Sequence, residues 1–199
     1  MTTSTSRPRG QARREALLEA VLTIVAHTGA DAVTHRKVAE VAGLPLASTT
    51  YWFSSKEDLL AAALELAAER DIAELNRRAL ELEGAPDPVE AVAQLIFGSL
   101  MAGPEERRAS RGSLTAAYAL WLEGARRPRL RAVAERWTDA YLRATAALLG
   151  DAGSTDPEMH ARLLVAAADG LLVAQLAGGG DSDLAPPLRR LTAALLARP

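Results

Sequence analysis

Thr34-His35-Arg36-Lys37-Val38-Ala39-Glu40-Val41-Ala42-Gly43-Leu44-Pro45-Leu46-Ala47-Ser48-Thr49-Thr50-Tyr51-Trp52 is the stretch on which the fold turns. Thr34 stands where an N-cap belongs, ahead of about two helical turns that stop at Gly43, and a second short helix fits 46–52. Val38 and Ala42 can face a core, and Ala39 is small where two helices must cross closely. Gly43 can take the left-handed backbone of a tight turn. Leu44 then plugs into the core, and Thr49 and Trp52 fall on the inner face of the second helix. This is the register of a helix-turn-helix, and a plain helical hairpin with a glycine turn shares it.

Upstream, Leu17, Leu18, Val21, Ile24 and Val25 repeat at helical spacing over 11–28, with Gly29 placed as a C-terminal cap. Downstream, Ser55-Lys56-Glu57-Asp58 reads as a capping box with Asp in place of Glu. It opens a long helix whose stripe is Leu60, Leu64, Ala67, Ala68, Leu75 and Leu82, ending near Glu83 before the breaker Gly84-Ala85-Pro86-Asp87-Pro88. Further helices fit 88–102, 104–124, 128–150, 157–177 and 188–197, each bounded by proline or glycine. The expectation is nine or ten helices and no strand, divided into residues 1–56 and 57–199.

Composition agrees. The chain has 199 residues, 49% of them hydrophobic, only 4% aromatic, and no cysteine. That apolar share suits a folded globule, and the dominance of Ala, Leu, Arg and Glu favours helix nearly everywhere. Without cysteine there is no disulfide framework, thiol nucleophile or thiolate zinc site. The polar, basic start lacks the apolar stretch of a signal peptide, so the cytoplasm is the expected compartment. The most apolar run, 163–177, is interrupted by Asp169 and Gln175 and is shorter than the roughly 20 residues of a membrane span, so no membrane is expected.

Charge is unevenly placed. Residues 1–56 hold seven basic and four acidic side chains, a net +3, which leaves −5 on the remainder of a chain whose total is −2. A positive head suits a polyanion, although a solvated surface would look the same.

With its neighbours 53–59, Phe-Ser-Ser-Lys-Glu-Asp-Leu, the stretch from Gly43 resembles the N-terminal signature of TetR-family transcriptional regulators. Thr34, Val38, Ala39, Ala42, Gly43, Tyr51, Phe53, Lys56 and Leu59 anchor that resemblance over about residues 11–66. Asp169-Gly170-Leu171 also resembles a pattern of the family's regulatory domain. The resemblance implies an all-α protein: a three-helix DNA-binding head joined by a long fourth helix to a helical body that dimerises and binds a small-molecule inducer.

On that reading the expected DNA-binding residues are Arg9, Thr34, His35, Arg36, Lys37, Leu46, Ala47, Ser48, Thr49, Thr50, Tyr51 and Lys56. Short polar side chains such as Ser48, Thr49 and Thr50 suit the start of a recognition helix, and donors flanking it hold phosphates. The family's usual recognition-helix aromatic falls where this chain has Thr50, with Tyr51 one place later. Trp52 and Phe53 are expected in the core. The tail Arg7-Pro8-Arg9-Gly10, with Arg13 and Arg14, reads as a backbone or minor-groove contact or as a solubilising arm.

In the body, Leu95, Phe97, Met101, Tyr118, Trp121, Trp137 and Tyr141, with Asp169, are candidates for lining an inducer cavity. Packing is the competing reading for the apolar members, and a structural hydrogen bond or ion pair for Asp169. Their composition suits an apolar or aromatic molecule. The helix 163–177 is apolar nearly all round and needs cover beyond its own core, which a second copy would supply together with the helix 128–150. The expected partners are therefore operator DNA, a second copy and an inducer, with no cofactor and no metal. His27, His35 and His160 never pair at i,i+4, and no H-E-x-x-H, G-x-S-x-G or phosphate loop occurs, so an enzyme is not expected. The alternatives are a helical protein-interaction adaptor and an enzyme using a buried acid.

Overall fold

The structure is a computed structural model that describes residues 6–101, 104–180 and 182–197, with side chains described except at 6–9, 99–101, 104 and 106–109. Arg9 and Met101 are therefore candidates whose side chains lie outside the described residues.

The described residues form nine α-helices and one 3-10 turn, with no strand among them. They are α1 Ser6–Thr28, α2 His35–Ala42, α3 Leu46–Trp52, α4 Lys56–Glu81, α5 Pro88–Met101, α6 Pro104–Glu123, α7 Pro128–Asp151, α8 Pro157–Gly178 and α9 Ala185–Leu196, with the 3-10 turn Ala30–Ala32 between α1 and α2. α1 starts five residues earlier than the apolar pattern does. Pro8 lies near its start, where the missing N–H costs no intrahelical bond. α9 also starts early, because Pro186 and Pro187 fit a first helical turn and the Asp183 carboxylate accepts the Ala185 N–H at 2.9 Å.

The caps explain the other boundaries. The Thr34 hydroxyl accepts the Lys37 N–H at 3.2 Å, and Gly43 ends α2 at φ 63°, ψ 31°. Asp87 accepts the Val89 and Glu90 N–H groups at 3.0 and 3.1 Å, and Asp156 accepts that of Met159 at 3.1 Å. The Ser55 hydroxyl accepts the Asp58 N–H at 3.1 Å, as expected of a capping box. The Asp58 carboxylate reaches back one residue further, to the Ser54 N–H.

The chain divides into two compact units, Met1–Ala68 with Gly112–Ala134, and Glu69–Arg111 with Glu135–Pro199. In the first, Leu17, Leu18, Val21, Val33, Val38, Phe53, Leu59, Leu60 and Leu64 are buried, and Arg129 pairs with Asp58. In the second, the buried set includes Leu75, Val92, Leu95, Phe97, Leu149, Leu164 and Leu188. There α9 packs on α5 and α8, and Arg189 clasps Glu90 at 2.6 and 3.1 Å, holding the carboxyl below its usual range. Arg111 donates to the carbonyls of Leu176 and Gly180 at 2.9 Å each, at the negative end of the α8 dipole.

α8 extends beyond the apolar run 163–177 and reaches, by length and composition alone, the dimensions of a membrane span. Its Ala161, Leu164, Val165, Ala168 and Leu172 are buried in the second unit. The opposite flank, with Met159, Leu163, Ala166, Gly170, Val173, Ala174 and Ala177, is exposed.

Candidate nucleic-acid interface and ligand site

Between α2 and α3 the turn is set by Gly43, whose N–H and that of Leu44 return to the last carbonyls of α2, the latter reaching Ala39 at 2.9 Å. α3 then packs through Thr49 and Phe53. Thr49 is 0% exposed: its hydroxyl donates to the Leu46 carbonyl at 2.9 Å and lies 3.1 Å from Nδ1 of His35. Thr49 is sealed from the surface and locks α3 to α2, and His35 is half-buried in the same lock.

What α3 presents outward is Leu46, Ala47, Thr50 and Tyr51, positions i, i+1, i+4 and i+5 of one helix face. Tyr51 is 78% exposed, and Ser48 is half-buried. Trp52 departs from its expected place in the core: it is 38% exposed, edge-on to Tyr51 with ring centroids 5.0 Å apart. A Cβ on Gly10 would meet its ring at 3.7 Å. Phe53 is buried as expected, with the Arg14 guanidinium 5.7 Å above its ring.

The face therefore combines methyl, hydroxyl and phenol groups without a formal charge, and the cations flank it. Thr34 and Arg36 are exposed at the start of α2, with Lys37 half-buried beside them, where a helix N-terminus already favours an anion. Lys56 is committed in part: its Nζ donates to the Asp31 carbonyl at 2.8 Å and stands 3.9 Å from the Asp31 carboxylate.

The expected ligand-lining residues divide between the units. Tyr118 and Trp121 lie in the first, their ring centroids 6.3 Å apart. Leu95, Phe97, Trp137, Tyr141 and Asp169 lie in the second. Leu95 and Phe97 are buried, and Asp169 is half-buried on α8.

Trp137 and Tyr141 are brought together by a residue outside the expected set. The Trp137 indole N–H and the Tyr141 hydroxyl both donate to Oδ2 of Asp71, each at 2.7 Å. A second polar residue of α4 is sunk deeper: Arg78 is 7% exposed, and donates to Glu74 at 3.0 Å and to the Leu95 carbonyl at 3.1 Å. Glu74 also receives Arg77, and the two guanidiniums, Arg77 foremost, hold its carboxyl down at about 2. Gly98 of α5 makes room for Arg78, since a Cβ there would sit 2.8 Å from Arg78 Cδ. Both residues were readable as gaps in the α4 stripe, which runs Leu64, Ala68, then position 71, Leu75, then position 78.

Residues 99–198 match a family described as tetracyclin repressor-like, C-terminal domain. No curated protein matches the sequence. Among solved structures, the multidrug binding protein EbrR complexed with imidazole is 32% identical, with 94% of this chain and 96% of that one covered and a TM-score of 0.69. A TetR-family member from Streptomyces coelicolor A3 is also 32% identical over 94% of this chain and 99% of its own, at 0.70. A transcriptional regulator from Rhodococcus sp. Rha1 is 24% identical over 92% and 95% and matches in fold at 0.77.

Proposed function

The chain belongs to the TetR family of transcriptional regulators, and from that premise we propose that it is a homodimeric repressor that leaves a palindromic operator when a small molecule occupies its body. We place the DNA-binding part at 1–56 and the regulatory part at 57–199.

The observation that carries the DNA reading is the outward face of α3. A protruding, uncharged face of Leu46, Ala47, Thr50 and Tyr51 can meet thymine methyls and base-edge acceptors in a major groove, while Thr34, Arg36 and Lys37 hold phosphates. A half-buried Ser48 and a partly engaged Lys56 add to the rim. Two heads would then read half-sites about one helical turn apart, roughly 34 to 36 Å. Selection from a random DNA pool should enrich a palindrome, with affinity falling steeply as salt rises. No enrichment together with salt-insensitive binding removes this reading.

The second copy is assigned to the exposed flank of α8. Met159, Leu163, Ala166, Gly170, Val173 and Ala177 recur at three and four residues, and a Cβ on Gly170 would meet nothing within 4 Å of it in its own chain. Small residues on such a stripe let a partner helix approach closely. Gly170→Arg should yield a monomer by sedimentation and lose operator affinity. An intact dimer moves the interface elsewhere.

The inducer is assigned to the second unit, near Leu95, Phe97, Trp137 and Tyr141. EbrR has been solved with ethidium, proflavin and malachite green, which supports an aromatic ligand class here. α4 runs as one helix from head to body and is the element through which occupancy would act on the heads. Linkage requires ligand to weaken operator binding by the same factor as operator weakens ligand binding, typically about 5- to 150-fold.

A further inference from the structure

The 3-10 turn Ala30–Ala32 leads into the N-cap of α2 and is pinned on both sides, because Ala30 and Val33 are buried. The carbonyls of Gly29 and Ala30 accept the Ala32 and Val33 N–H groups at 3.3 and 3.2 Å, which closes the turn. The next carbonyl, that of Asp31, accepts from elsewhere in the chain: Nζ of Lys56 donates to it at 2.8 Å. This contact brings the start of α4 to a residue only three places before Thr34. Lys56 therefore belongs to the same rim as Thr34, Arg36 and Lys37.

The Asp31 carboxylate has no such structural task. It is fully exposed, stands 3.9 Å from Lys56 Nζ, and among the described residues accepts no hydrogen bond. An ion pair of that kind adds little to folding. The first-turn acid of α4 is different, since Asp58 receives the Ser54 N–H and pairs with Arg129. Asp31 also lies in the field of Arg127, whose guanidinium Glu123 holds at 2.8 Å. It is thus an acid set among cations, at a surface read as a polyanion contact, and its effect falls on what approaches from outside.

We propose that Asp31 is a brake on phosphate binding that acts through Lys56: its backbone carbonyl holds the ammonium in place, and its carboxylate offsets the ammonium's charge. This rests on the DNA reading above and refines it by assigning an acidic residue of the rim a part in setting affinity. An ammonium has three donors, so the carbonyl bond leaves Lys56 able to take a phosphate. The phosphate that does so must face the Asp31 carboxylate, a like charge about one ion-pair distance away. Phosphate contacts carry no sequence information, so the brake lowers the share of affinity that every duplex receives. Occupancy then depends more on the uncharged base-reading face of α3.

Two duplexes test this, the palindrome obtained by selection and a random sequence of equal length, titrated by fluorescence anisotropy between about 50 and 200 mM salt. Asp31→Asn should tighten both by about three- to tenfold at the lower salt and steepen the dependence of log affinity on log salt by up to about one. Asp31→Ser should do the same, because only the charge matters. Lys56→Gln should weaken both duplexes and flatten the slope. In the Lys56→Gln background Asp31→Asn should gain about twofold at most, since the cation it would release is gone. Affinity and slope left unchanged by both Asp31 variants overturn the brake. So does an equal gain with and without Lys56, which would mean that the carboxylate acts on the DNA directly. An unaltered protein that binds neither duplex overturns the DNA reading and the brake together, whereas sound operator binding with silent Asp31 variants overturns the brake alone.

Discussion

On α3 the large ring of Tyr51 lies in solvent while the small hydroxyl of Thr49 is sealed inside. On α4 a guanidinium and a carboxylate occupy the stripe that carries Leu64, Ala68 and Leu75. The first helix is short and needs its polar group to fix orientation, because seven residues offer few apolar contacts to hold it against α1 and α2. The second is 26 residues long and could pack through leucine and alanine alone. Polar groups on its inner face are a cost the helix does not need for folding, so they point to a task. An exposed aromatic on a rigid helix likewise offers area for a partner at little conformational expense.

The sharpest break of this contrast is at Arg78. Arg78→Ala removes a buried guanidinium that joins Glu74 to the Leu95 carbonyl, and should lower unfolding free energy by about 1 to 3 kcal/mol, since Glu74 keeps Arg77 as a partner while the Leu95 carbonyl loses its side-chain donor. Arg78→Met, which fills the volume without the charge, should recover most of that loss if the guanidinium serves packing alone. Equal losses in denaturant melts of the two variants would make its hydrogen bonds the essential part. Gly98→Ala attacks the same spot from α5. Its Cβ would crowd a guanidinium pinned by two bonds, with an expected loss of about 1 to 3 kcal/mol.

A smaller effect separates the two residues of α3. Thr49→Val keeps shape and deletes the bonds to Leu46 and His35, so stability should fall by about 1 kcal/mol with the preferred operator sequence unchanged. Tyr51→Ala should leave stability within about 0.5 kcal/mol and alter preference among operator sequences. Competition binding across single-base operator variants checks both. A sequence preference that moves with Thr49 and not with Tyr51 would invert the assignment of the α3 faces.

Much of the architecture was legible because caps and breakers are local chemistry: Thr34, Gly43, Asp87 and Asp156 act within three or four residues of where they stand. Helix periodicity likewise placed Leu17, Val21 and Leu64 in the core. Thr49 was read on the inner face and also as a base contact, and only packing against His35 decides between these, since fourteen residues separate them. Trp52 could not be placed from periodicity, because a seven-residue helix has barely two turns and one ring can lie at its border. Asp71 and Arg78 needed partners 66 and 17 residues away before their burial made sense. Pattern reading passes over a polar residue in an apolar stripe, although the interruption itself is visible.

The smallest predicted effect belongs to Asp58, the charge at the entrance of α4, which pairs with the Arg129 guanidinium. Ser54 gives it the largest stabilisation through its hydroxyl, and the Arg129 guanidinium and Ser55 add to this against a desolvation cost. Together they lower its carboxyl from 3.8 to about 2. A carboxyl depressed in the folded state contributes stability that is complete above its unfolded value and is lost as pH falls through the folded one. The unaltered protein should therefore lose melting temperature between about pH 4 and pH 2 by more than Asp58→Asn does, while at neutral pH the variant is the less stable of the two. Arg129→Gln should reproduce part of the change, because the Ser54 bonds survive it. Salt should shrink the Arg129 share and spare that of Ser54, since a partly solvated ion pair is screened and a hydrogen bond within one helix turn is not. Parallel acid limbs for the unaltered protein and Asp58→Asn would mean that the capping carboxylate adds nothing beyond its shape, leaving the Ser55 hydroxyl to set the start of α4.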